Sequence, residues 1–194
     1  MRSALTSGVA LALIVAVTAT GTQLDPAATC EFYTDTLCQF NDDGMQTLFT
    51  IGYEQAKPAA VLTELERAKI ELLVDTRAVA ASRRPGFSKR QLAASLDETG
   101  IDYLHLQKLG TPAEGRQAAR DGDRDRLWQI YDAHIKKPEP QAELAELVTL
   151  IKSGKRVALL CYCRDPKTCH RSRIVANVKK RIRVKVEDLI PPLF

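Results

Sequence analysis

A chain of 194 residues with 45% hydrophobic and 27% charged residues can bury one good core, and its five cysteines are too few and too clustered for a disulfide framework. The net charge of +4 hides an asymmetry: residues 1–44 hold Arg2 against Asp25, Glu31, Asp35, Asp42 and Asp43, a balance of −4, so the rest carries +8. That basicity suits an anionic ligand such as a phosphate, a nucleotide or nucleic acid.

The first 44 residues read as a non-core extension. Arg2, the apolar run Val9 to Val17 and the small residues around Ala19 resemble a weak secretory signal. The run is too short to span a membrane comfortably. An over-extended start ahead of Met45 and a disordered tail are the competing readings. The domain proper is expected over 45–194. Its three cysteines within nine residues fit a reducing cytoplasm better than an oxidising compartment.

From Met45 onward strands and helices alternate. Thr47 to Tyr53 is strand-like, and Pro58 to Lys69 is helical with proline at its start. Ile70 to Arg77 is an apolar strand ending in charge. Ser88 to Thr99 is a helix with Ser88 as N-cap and Gly100 as stop. Asp102 to Gln107 alternates as a strand does. Leu109 to Asp125, with three glycines and one proline, reads as a mobile loop or lid. Arg126 to Ile135 is helical, Pro138 to Pro140 breaks the chain, and Gln141 to Lys152 is a further amphipathic helix. The strand Val157 to Cys163, a helix opening at Cys169-His170-Arg171, and a last strand near Arg183 to Leu189 complete the pattern. The expected fold is a single three-layer α/β domain with a mostly parallel sheet and helices on both faces.

In such sheets ligands bind beyond the carboxyl ends of the strands. Asp75 to Arg77, His105 with Gln107, and the Cys161 to Arg171 loop all fall there, and they are expected to line one cavity. Cys169 at a helix start gains thiolate stabilisation from free N–H groups and the helix dipole, and Cys161 sits at a strand end. Asp75 and His170 are the candidate proton carriers. Adjacent helical residues point about 100° apart, so His170 is expected to serve substrate or Asp75 rather than to pair with Cys169. Arg77, Arg83 and Arg171 are candidates to hold an anion, with His105 beside them. Zinc sites usually pair cysteines as C-x2–4-C held in turns, whereas Cys161 and Cys163 are separated by one residue, so no metal site is expected. No cofactor is expected either.

Several of these stretches together resemble a known family. They are Thr50-Ile51-Gly52-Tyr53, Val74-Asp75-Thr76-Arg77, Ser82 to Ser88, Gly100 to Tyr103, Leu109-Gly110, Cys161, Asp165-Pro166 and Cys169-His170-Arg171. In that order they resemble domain of unknown function family 488, from about Leu48 to about Leu189. The resemblance implies an α/β fold with a polar cluster, and no settled reaction. A fainter likeness to rhodanese domains lies in Val74 to Arg77 and Cys163 to Ser172, but the eight positions from Cys163 to Arg171 are too many for their compact anion cradle.

The functional expectation is a thiol- and arginine-containing site, a Cys-dependent hydrolase or transferase, acting on an anionic small molecule, a nucleotide or a nucleic-acid end. The rivals are a non-catalytic nucleotide or nucleic-acid binding module and a rhodanese-like sulfur or redox protein. No membrane partner is expected, and the oligomeric state stays open.

Overall fold

The computed structural model describes residues 45–193. The expected N-terminal extension over 1–44 lies outside the described residues.

Five strands form one wholly parallel sheet: β1 (Gln46–Gly52), β2 (Leu72–Asp75), β3 (Asp102–His105), β4 (Val157–Cys161) and β5 (Val184–Leu189), in the order β3-β2-β4-β1-β5. The central strands are near-continuous apolar runs because both faces are covered. Side chains alternate in direction along each strand. Phe49, Ile51, Leu73, Ala158 and Leu160 pack against Val61 and Leu65 of α1 (Pro58–Arg67) and Leu92 and Leu96 of α2 (Lys89–Asp97). Leu48, Leu72, Val74, Val157 and Leu159 face the other way. There they meet Tyr131 of α4 (Arg124–His134), Leu144, Leu147 and Ile151 of α5 (Pro138–Lys152), and Ile174 and Val178 of α6 (Arg171–Lys179). The three layers expected from the alternating pattern are present.

Three local expectations differ from the structure. The segment expected to be a lid is folded: a 3-10 turn at Gln107–Leu109 leads to α3 (Ala113–Arg120). Its glycine serves close packing, because a Cβ at Gly115 would stand 2.8 Å from Thr111 Cγ2 and 3.5 Å from Leu127 and Ile130 of α4. Pro138 and Pro140 begin α5 instead of breaking the chain, since the first turn of a helix has N–H groups without intrahelical partners anyway. Ser88 occupies the N-cap position of α2, but its hydroxyl donates to Gln91 Oε1 at 2.8 Å and makes no cap bond. Among the described residues, no helix is long and apolar enough to cross a membrane.

Candidate functional site

The parallel sheet brings the carboxyl ends of β1, β2 and β4 together, and the loops that follow them enclose a cavity of about 460 Å³. Its wall carries five arginines, Arg77, Arg83, Arg84, Arg116 and Arg124, and no aspartate or glutamate among the described residues. Cys161, Cys163 and His170 also line it. Fixed positive charge around thiols, with no carboxylate in the described lining itself, is the electrostatic signature of a site for anions.

The arginines are not equally available. Arg77 is committed to Asp75: its Nε donates to Oδ1 at 2.8 Å and its Nη2 to Oδ2 at 2.6 Å. Its Nη1 donates to Tyr53 Oη and to the Phe87 carbonyl. Burial disfavours the charge on Arg77, but the Asp75 carboxylate outweighs it and holds the guanidinium protonated. Arg84 is spent on the carbonyls of Tyr53 and Ala56, at 2.7 Å each. Arg116 and Arg124 each give one donor to a carbonyl, of Thr111 and Thr168 respectively, and Arg83 is exposed. A guanidinium has five donors, so Arg116 and Arg124 keep most of theirs for a ligand.

Asp75 is wholly buried and accepts from Arg77 N, Nε and Nη2 and from Tyr103 Oη at 2.6 Å. Burial, and then this bond to the carboxylate, push the Tyr103 hydroxyl above its usual range. With four donors in place, Asp75 has no lone pair aimed at the cavity and acts as an anchor. His105, the register partner of Asp75, turns its Nε2 to the Arg77 carbonyl at 2.8 Å and stays outside the cavity lining.

On the other face of the sheet lie the thiols. β4 ends at Cys161, so Cys163 lies in the loop beyond the strand. The chain turns back, and the sulfurs of Cys161, Cys163 and Cys169 all lie within 4.8 Å of one another. Gly52, the register partner of Cys161, permits this return: a Cβ there would stand 2.0 Å from the Cys163 carbonyl oxygen. His170 also departs from expectation. Its Nδ1 lies 3.6 Å from Cys161 Sγ and 3.8 Å from Cys169 Sγ, so it faces the thiols rather than Asp75. It can do so because His170 is the residue before the first turn of α6, where the ring folds inward under Tyr131. Its Nε2 meets the Thr76 carbonyl at 3.0 Å, and a carbonyl only accepts, so the proton sits on Nε2 and Nδ1 is left to the thiols.

Burial opposes a charge on Cys169, but hydrogen bonds from Cys161 and Cys163 and the nearby imidazole outweigh it, and its thiol is held well below the usual range. Burial opposes a charged His170 ring, and the Cys169 thiolate reverses that and raises its pKa. Cys163 is pushed up, chiefly by its hydrogen bonds to the other two thiols. The trio therefore favours a single thiolate centred on Cys169 beside an imidazolium.

Arg171 is 1% exposed and does not reach the cavity. Its Nε donates to Cys169 Sγ at 3.3 Å, Nη1 to Thr50 Oγ1 at 3.0 Å and Nη2 to the Cys163 carbonyl at 2.6 Å. It clamps the thiol loop onto β1. Of the residues singled out in the sequence, Arg77, Arg83, Cys161 and His170 line the cavity, while Asp75, His105, Cys169 and Arg171 stand behind them. Arg116 and Arg124 were not singled out, because they fall in the stretch read as a lid. Their only signal is the i, i+4 spacing of Arg116, Arg120 and Arg124.

Fold and site define an α/β protein with a basic cavity over clustered thiols at the carboxyl edge of a parallel sheet. The chain belongs to the family described as Domain of unknown function DUF488, whose model matches residues 57–178, more than half of its length. No curated protein matches it in sequence.

Proposed function

We propose that the cavity binds a phosphorylated or otherwise anionic molecule and that the thiols act on it, as in a Cys-dependent hydrolase or transferase. The observation that carries this reading is the wall of arginines around Cys161 and Cys163, whose lining among the described residues holds no aspartate or glutamate. Arg83, Arg116 and Arg124 hold the anion through charge-assisted hydrogen bonds, each worth about 1.5–3 kcal/mol. Cys161, facing the cavity with His170 Nδ1 at 3.6 Å, is the nucleophile. Its proton passes to the neighbouring Cys169 thiolate, and the imidazolium gives its Nδ1 proton to the leaving group. Asp75 and Arg171 are positioning residues. Asp75 sets Arg77 and the loop beyond it, and Arg171 sets the thiol loop.

The test is alkylation of the reduced full chain by iodoacetamide, mapped by peptide mass, with and without inorganic phosphate or a nucleoside monophosphate. Phosphate is expected to slow alkylation of Cys161 and Cys163, and the Arg116→Ala, Arg124→Ala double variant is expected to lose that protection. Alkylation indifferent to every anion tried would overturn the reading. Binding with protection, but with no turnover of any phosphorylated substrate, would leave a binding module instead.

A further inference from the structure

The thiols come from three parts of the chain: the end of β4, the loop after it and the residue two before α6. Their convergence within 4.8 Å has a geometric meaning beyond nucleophilic chemistry. A tetrahedral zinc ion with Zn–S near 2.3 Å holds its sulfurs roughly 3.8 Å apart, so small side-chain rotations would close all three sulfurs on one ion. The same tetrahedron places a histidine nitrogen roughly 3.6 Å from each sulfur. His170 Nδ1 already stands 3.6 Å from Cys161 Sγ and 3.8 Å from Cys169 Sγ. Its Nε2 is held by the Thr76 carbonyl at 3.0 Å, the outer partner that fixes the tautomer of a metal-ligating histidine. Arg171 Nε, 3.3 Å from Cys169 Sγ, supplies the positive charge that three thiolates around a divalent ion require.

We infer that Cys161, Cys163, Cys169 and His170 Nδ1 form a zinc-binding centre of the Cys3His type. Half-exposed Cys163 on the cavity wall provides the route of entry. As the ion binds, the thiol protons of Cys161 and Cys163 and the proton on His170 Nδ1 pass to solvent. The inference does not rest on the anion reading. In the metal-loaded chain the sulfurs are ligands, so zinc silences the thiols and the cavity is left as an anion site above a closed centre.

Cobalt(II) titration of the chelator-stripped, reduced full chain reads the site directly. One equivalent is expected to give sulfur-to-cobalt charge-transfer bands with intense tetrahedral d–d bands, both bleached by one equivalent of zinc. Cys163→Ser, at a half-exposed position that leaves the core intact, is expected to weaken cobalt binding by more than about 100-fold, beyond the loss from an outer-shell partner. His170→Ala is expected to shift the d–d bands. The Cys30→Ser, Cys38→Ser double variant is expected to leave the spectrum unchanged. An octahedral cobalt spectrum, a Cys163→Ser variant that binds as tightly as the parent, or loss of the bands in the Cys30/Cys38 variant would each overturn the inference. Phosphate protection measured on the metal-free chain separates the two readings, because it can survive when cobalt fails and fail when cobalt binds.

Discussion

Two polar clusters occupy equivalent places at the carboxyl ends of neighbouring parallel strands, and they are built in opposite ways. At the end of β2, Asp75 and Arg77 are sealed among Tyr53, Phe87 and Tyr103, with the carboxylate accepting four hydrogen bonds. At the end of β4, His170 Nδ1 lies 3.6 Å from Cys161 Sγ and 3.8 Å from Cys169 Sγ, the three sulfurs lie within 4.8 Å of one another, and Cys161, Cys163 and His170 open onto the cavity. The first cluster is saturated, so it can only hold shape. The second is polarised and incompletely satisfied, so it can take a proton, an electrophile or a metal ion. The sheet keeps them apart: Asp75 shares the face of Leu73 toward α1 and α2, and Cys161 shares the face of Leu159 toward α4 and α6. Arg77, which lines the cavity with its charge already matched by Asp75, is the wall the first cluster lends to the second.

The contrast breaks most sharply at Asp75. Asp75→Ala leaves Arg77 buried without its counter-charge and is expected to cost about 3–5 kcal/mol, a fall in Tm on the order of 10 °C. Urea unfolding checks it, and a loss below about 1 kcal/mol would mean that the cluster is not a lock. Gly52→Ala comes next. The added Cβ meets the Cys163 carbonyl oxygen at 2.0 Å, so the thiol loop must move, at about 1–3 kcal/mol. Cys163 should then alkylate at a changed rate and the cobalt spectrum should weaken, while a parental rate with parental stability would show that the return of the chain does not depend on this contact. Tyr103→Phe removes one of four donors to Asp75 and is expected to cost about 1–2 kcal/mol with phosphate binding unchanged, as calorimetry would show. At the bottom of the scale, Arg83→Ala should alter stability by no more than about 0.5 kcal/mol and still weaken phosphate binding several-fold. If it destabilises as Asp75→Ala does, the division into a lock and a working surface is wrong.

The layered plan was legible because burial on both faces writes itself as apolar runs such as VALLC, and amphipathic helices repeat at 3.6 residues. The strand-end position of Asp75 and Cys161 was legible for the same reason: a charge or a thiol stands where the apolar run stops. The helix at Ala113–Arg120 was not, because glycine and proline argue locally for a loop. The compensating contact, Gly115 against Leu127 and Ile130, spans too many residues for a short window to register.

The sequence by itself determined the strands, their parallel order of chemistry and the family to which the chain belongs. Only the tertiary structure decided which face each strand end presents, that Asp75 is closed by Tyr103 from a neighbouring strand, and that Cys163 folds back over Gly52 to join Cys161 and Cys169. Local pattern records which way a side chain alternates while a strand lasts. Once the strand ends at Cys161, direction is set by contacts with residues more than a hundred positions away, such as Arg171 bridging to Thr50.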